Sequence, residues 1–287
     1  MKFFRITALV YILILFSSCQ SKNTSGNTPK IHKNQKKPVE IAQKIQGKNI
    51  AYRGKAKSIH IFVALCDNKY QGIVPVPSRL GNGQKPETNL YWGAAYGVKT
   101  YFKRSKEWKL LQTRHPGDTI LERLIFKHRN KDYYLIADAY NGKYIRQTTV
   151  DLLKSLSGQY KDTLQVHHDT IGIYGNARLI AYTGHDGLMD FDLPHSYKNA
   201  DGQTRDAVIL ACISKDYFYD YLHEAGARPL LWTTGLMAPE AYTLHDAVSA
   251  YVQEKPASEI RLKAAQAYNK YQKCGLRAAK NLLVTGW

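Results

Sequence analysis

The fold class this sequence predicts is a three-layer α/β/α sandwich around a mostly parallel sheet, and three observations carry the prediction. Residues 58–66 form a near-continuous apolar run of the kind buried on both faces of a parallel sheet. Two more apolar runs of strand length, Arg178-Leu-Ile-Ala-Tyr-Thr-Gly-His185-Asp-Gly187 and Asp206-Ala-Val-Ile-Leu-Ala-Cys212-Ile-Ser214, each end abruptly in a reactive side chain. Between and after these runs, segments with helix caps alternate with further apolar strands, which is the pattern of α/β domains.

The chain starts with a segment that belongs to export rather than to the fold. Lys2 and Arg5 form a short basic start, residues 6–16 are apolar but too few to span a bilayer, and Ser17-Ser18-Cys19 follows. This resembles a bacterial lipoprotein signal, in which Cys19 becomes the lipidated first residue of the mature protein. Phe16 is bulkier than the residue usual at its place, and an ordinary secretory signal is the other reading. Either way the mature chain is exported to the cell envelope, exposed to periplasm or cell surface.

Residues 20–57 are rich in Lys, Asn, Gln, Ser and Thr, with Glu40 as the sole acid. Such a segment buries too little apolar surface to offset its ordering entropy, so a flexible tether is expected. It contributes much of the net charge of +18. Beside a lipid anchor, that charge most simply holds the protein against an anionic membrane. Nucleic acid is the rival partner for a basic chain, but no nucleic-acid-binding motif is present.

Residues 58–287 suffice for one large domain. After the first strand come Asp67 and Asn68, then a loop with Pro75, Pro77, Gly81, Gly83 and Pro86. Thr88 or Asn89 then caps a helix over 90–103, whose aromatics are expected in the core. Shorter apolar segments follow at 108–111, 121–127 and 133–139. Thr148 or Thr149 starts a helix through Leu152, Leu153 and Leu156 that stops at Gly158. After the strands ending in His185 and Cys212, residues 215–225 read as a helix and 229–234 as a strand. An Ala-rich helix over 258–283 begins at a Ser258-Glu259 cap. The loop Pro239-Glu240-Ala-Tyr242 either lines a pocket or caps the core.

Cys66, Cys212 and Cys274 remain beyond Cys19. An odd number leaves at least one thiol unpaired in an oxidising compartment, and if Cys66 pairs with Cys274 the free one is Cys212. His167-His168-Asp169 raises the question of a metal. Adjacent histidines on an extended chain point to opposite sides, and the spacing suggests no third ligand, so neither a metal nor a cofactor is expected.

Ligands bind at the carboxyl ends of parallel strands, so neighbouring strands ending in His185 and Cys212 set a base beside a nucleophile. The segment Tyr182-Thr-Gly-His185-Asp-Gly-Leu-Met-Asp-Phe-Asp-Leu-Pro194 is similar to the one carrying the catalytic His in caspase-like (clan CD) cysteine peptidases, especially the legumain branch. Ile209-Leu-Ala-Cys212-Ile-Ser-Lys-Asp-Tyr-Phe218 resembles that family's nucleophile segment. Tyr140-Asn-Gly-Lys-Tyr-Ile-Arg-Gln-Thr-Thr149 is similar to the turn and helix before the His strand, and the order of elements agrees.

The resemblance implies a caspase-like sheet, Cys212 as nucleophile, His185 as general base and acid, and an oxyanion hole from the N–H groups of Gly187 and Cys212. Asp67 or Asn68, facing the same edge, are candidate substrate contacts or His orienters. The sequence departs from the family at Asp186, which stands where Gly usually follows the His. It departs again at Ile213 and Lys215, and in a connection between the two strands that shows no crossover helix. The expected activity is hydrolysis of an amide bond in a peptide or protein, or in a cell-wall peptide. The alternative from another class is a non-catalytic surface lipoprotein that binds a peptide or glycan at the same edge.

Overall fold

Eight strands form the central sheet, and its middle consists of the segments whose apolar runs are least interrupted. The computed structural model describes residues 49–287; Cys19, the signal segment and most of the expected tether lie outside them. The strands are β1 (Lys57–Ala64), β2 (Trp108–Arg114), β3 (Ile120–His128), β4 (Tyr133–Tyr140), β5 (Lys161–Val166), β6 (Asp169–Tyr174), β7 (Leu179–Thr183), β8 (Asp206–Leu210), β9 (Arg228–Thr233) and β10 (Leu283–Val284). The main sheet runs β10-β9-β8-β7-β1-β4-β3-β2, with β5 and β6 in a separate antiparallel pair. From β4 through β1, β7 and β8 to β9 every pairing is parallel, while β2, β3 and β10 attach antiparallel at the two margins.

Alternation along β1 divides the core in two. Ile59, Ile61 and Val63 face one layer, which holds α1 (Val98–Arg104), α4 (Ala241–Val252), α5 (Ala257–Gln272) and α6 (Leu276–Leu282). Phe62 and Ala64 face the other, built from α2 (Ile145–Leu156), α3 (Ser214–Glu224) and the β5–β6 hairpin. Side chains alternate across a strand, so a segment buried on both faces must be apolar throughout. The arrangement is a mixed α/β domain with a large, mostly parallel sheet between helical layers.

Helix α2 buries Ile145, Thr148, Thr149, Leu152, Leu153 and Leu156, a stripe at helical spacing. It begins before Thr148, behind a short turn in which Asn141 accepts the Lys143 N–H at 3.1 Å. A left-handed Gly158 (φ +73°) follows its end.

Several elements differ from the sequence reading. The helix expected over 90–103 reduces to α1, because Asn89 spends its side chain on Cys66 and Tyr91 and holds the preceding residues in turns. The 258–283 helix is two: Lys273 (φ +54°) and Gly275 (φ +87°) both take left-handed geometry and break it. Helix α4 grows out of the Pro239 loop, and the hairpin turns at His167 (φ +54°), which places the His-His-Asp run in a tight reversal. The tether docks before its expected end, since Ile50 donates to the Lys161 carbonyl at 3.1 Å and accepts from Asn176 at 2.7 Å. Cys66 and Cys212 are thiols; Cys66 is in the core and Cys274 lies in the break after α5, so the Cys66–Cys274 pairing does not occur.

Candidate active site

Strands β7 and β8 pair in register, Thr183 opposite Leu210, and the Gly184 N–H donates to the Leu210 carbonyl at 3.3 Å. His185 and Cys212 each follow two residues later, so the sheet delivers them to adjacent strand ends. Gly184 makes the exit possible. Its φ is +150°, and a Cβ there would meet the Ala64 carbonyl oxygen at 2.9 Å.

His185 is 7% exposed. Its Nε2 lies 2.8 Å from Asp190 Oδ2, and the same oxygen accepts the Gly72 N–H at 2.8 Å. Its carbonyl accepts the Tyr182 hydroxyl at 2.5 Å. A short 3₁₀ turn, Gly187–Met189, brings Asp190 back toward the imidazole, and Asp186 caps that turn by accepting the Leu188 N–H at 2.9 Å.

Cys212 sits between β8 and α3. Ile213 after it is left-handed (φ +52°), a rare state for a β-branched residue, and donates its N–H to the Gly235 carbonyl at 2.9 Å. Ser214 and Thr233 lock the turn from beneath. Ser214 Oγ donates to the Ile209 carbonyl at 2.8 Å, the Thr233 N–H donates to Ser214 Oγ at 3.0 Å, and Thr233 Oγ1 donates to the Ala211 carbonyl. Cys212 Sγ donates to the Met237 carbonyl (3.6 Å) and accepts the Met237 N–H (3.4 Å). Burial pushes this thiol up from its ordinary pKa, the Met237 N–H pulls it back, and the charge of Asp186 pushes it up again. The thiol at rest is therefore protonated. Cys66 is further from reactivity, since burial pushes it up to about 12.

The N–H groups of Gly187 and Cys212 have no hydrogen-bond acceptor among the described residues. Asp67 and Asn68 are also at this edge, but their polar atoms are engaged. Asp67 accepts from the Lys69 and Tyr70 N–H groups (2.8 and 3.2 Å) and from Gln84 (2.6 Å). Asn68 exchanges two hydrogen bonds with the Val76 backbone. Both shape the loop after β1, and the carboxylate that holds the imidazole is Asp190.

Sequence reasoning missed Asp190, Ser214 and Thr233. The first had a readable signal, an Asp-Gly pair that caps a turn and brings the next acid back to the His. The Ser214–Thr233 bonds join residues far apart in the chain and leave no local pattern.

The loop after β9 closes over Cys212, with Pro239 accepting from Thr183 Oγ1 at 3.0 Å, Met237 buried and Leu236 exposed. Among the described residues no group of three or more His, Cys, Asp or Glu is placed to hold a metal ion. No helix among them is long and apolar enough to cross a membrane. Comparison of the chain with protein-family models, curated proteins and solved structures gives no match.

Proposed function

We propose that the chain is a cysteine-dependent amide-bond hydrolase of peptidase type, caspase-like in fold, anchored to the cell envelope through Cys19 and the basic tether. The observation that carries this reading is the delivery of His185, paired to Asp190, and a free Cys212 thiol to adjacent ends of parallel strands. Either residue alone is ordinary, since a cysteine in an apolar strand is commonly a small hydrophobe. Together they supply the parts of nucleophilic catalysis.

In the reaction, substrate displaces the Met237 contact and His185 takes the Cys212 proton on the ring nitrogen that Asp190 does not hold. Sγ attacks the amide carbonyl, and the tetrahedral oxyanion is received by the Gly187 and Cys212 N–H groups. The intermediate collapses to a thioester as His185 protonates the departing amine. Water, deprotonated by His185, then attacks the thioester, and the acid leaves with Cys212 restored as a thiol. No cofactor enters this scheme.

A peptide carrying a thiol-reactive electrophile tests the reading. It labels the natural chain at Cys212, Cys212→Ala takes no label at that position, and the thermal transition is unchanged. Labelling of the variant equal to the natural chain counts against the assignment. The alternative, a non-catalytic lipoprotein that binds a peptide or glycan at this edge, is favoured by the surroundings of the thiol: it is raised by burial, held by Met237 and not hydrogen-bonded to His185, whose ring bonds Asp190. It predicts binding without turnover.

A further inference from the structure

Asp186 stands where the peptidase resemblance would place glycine, and its side chain has no exposed surface. One oxygen, Oδ1, caps the Gly187–Met189 turn through the Leu188 N–H. The other, Oδ2, is buried with no hydrogen-bond partner among the described residues. The titratable groups around it are Tyr182 on β7, His185 and Asp190 on either side of the turn, and Cys212 beyond β8. Asp190, the charge that acts on Asp186, has the same sign, and His185 is engaged by Asp190.

An ionised carboxylate in this position leaves an oxygen with neither solvent nor donor, a state proteins avoid by retaining the proton. We propose, resting on the Cys212–His185 reading above, that Asp186 is a positioning residue that works as a neutral carboxylic acid. Its capping oxygen aims the Gly187 N–H of the oxyanion hole, and the uncharged second oxygen leaves Cys212 free to ionise. The place that a glycine would leave empty is thus used to hold the turn, on condition that it carries no charge.

The condition makes the site sensitive to alkali. Burial pushes the Asp186 carboxyl up to about 8, and its charge, once formed, raises the Cys212 thiol. The two groups oppose each other's ionisation, so the Cys212 thiolate appears over a broad pH range rather than as a single-proton curve.

The experiment is the pH dependence of iodoacetamide alkylation at Cys212, followed on its own peptide by mass spectrometry in the natural chain, Asp186→Asn and Asp186→Ala. Both substitutions remove the charge, so the midpoint falls by about one pH unit and the curve steepens. Asn keeps the cap and Ala loses it, so peptide hydrolysis by Asp186→Ala is lower than by Asp186→Asn by about tenfold. An unmoved midpoint in Asp186→Asn overturns the proposal, as does equal hydrolysis by the two variants. Carboxyl carbon NMR of the natural chain reads the same group without a variant, and an Asp186 already ionised at pH 6 also overturns it. Alkylation needs no turnover, so failure here is distinct from failure of the hydrolase reading, which the Cys212→Ala labelling decides.

Discussion

Asp190 Oδ2 holds His185 Nε2 at 2.8 Å while accepting the Gly72 N–H at the same distance, so one carboxylate oxygen ties the imidazole to the loop after β1. A ring held at one nitrogen presents the other in a fixed tautomer and orientation. Replacing Asp190 by Asn is therefore expected to lower peptide hydrolysis by roughly 10²-fold, in line with the contribution of an oriented general base. Thermal unfolding of the same variant checks that the loss is local, since the carboxylate is partly exposed and its pairing adds little to stability.

The Ser214–Thr233 pair beneath Cys212 gives a second expectation. Ser214→Ala leaves the Thr233 N–H and the Ile209 carbonyl without their partner in the core, at about 1–3 kcal/mol for each group left unsatisfied. Urea unfolding measures the loss. Alkylation of Cys212 is expected to become faster in the same variant, because the turn that presses Sγ against Met237 is loosened.

Ile213 carries strain in the opposite sense. A non-glycine residue in the left-handed region costs roughly 1–2 kcal/mol, and Asn tolerates it better than a β-branched side chain. Ile213→Asn is expected to raise the denaturation midpoint. A lower midpoint would show that the half-buried side chain contributes more by packing than the backbone loses.

Two buried aspartates make stability respond to pH in opposite directions. Burial raises the Asp138 carboxyl, but Arg123 and His60 outweigh it and hold the group at about 2. An acid depressed in the folded state contributes stability that is present above about pH 4, its unfolded value, and is lost as pH falls through 2. Asp186, held up at about 8, does the reverse: its burial weakens the fold progressively from about pH 4 up to pH 8 and then levels off. Urea titrations from pH 3 to 9 should show Asp186→Asn gaining on the natural chain as pH rises, while Arg123→Ala loses roughly 3–5 kcal/mol at neutral pH by leaving the buried Asp138 with His60 as its remaining partner.

The strands were legible in the sequence where burial on both faces forces an unbroken apolar run, as in β1, β4, β7, β8 and β9. The β5–β6 hairpin was not, because Lys161, Asp162, Thr163 and Gln165 dilute its apolar residues and a His-His turn lacks the usual Gly or Asn signal. Helix α4 hid behind Pro239, and the break at Lys273 hid because lysine rarely adopts φ +54°. Within the site, the strand ends pointed to His185 and Cys212, whereas Asp190 and Thr233 are brought in by a turn and by the sheet itself. Asp67 and Asn68 stand at the same edge, but their hydrogen bonds are spent on their own loop.

The last residues of the chain do more than follow α6. Leu283 and Val284 pair antiparallel with Thr233 and Trp232, and the Gly286 N–H reaches the Pro229 carbonyl at 2.9 Å. They seal the flank of β9, which without them would be an open margin of unpaired donors and acceptors, the surface on which foreign strands assemble. That flank carries Thr233, so the same short seal that covers those donors and acceptors also steadies the residue on which Cys212 rests.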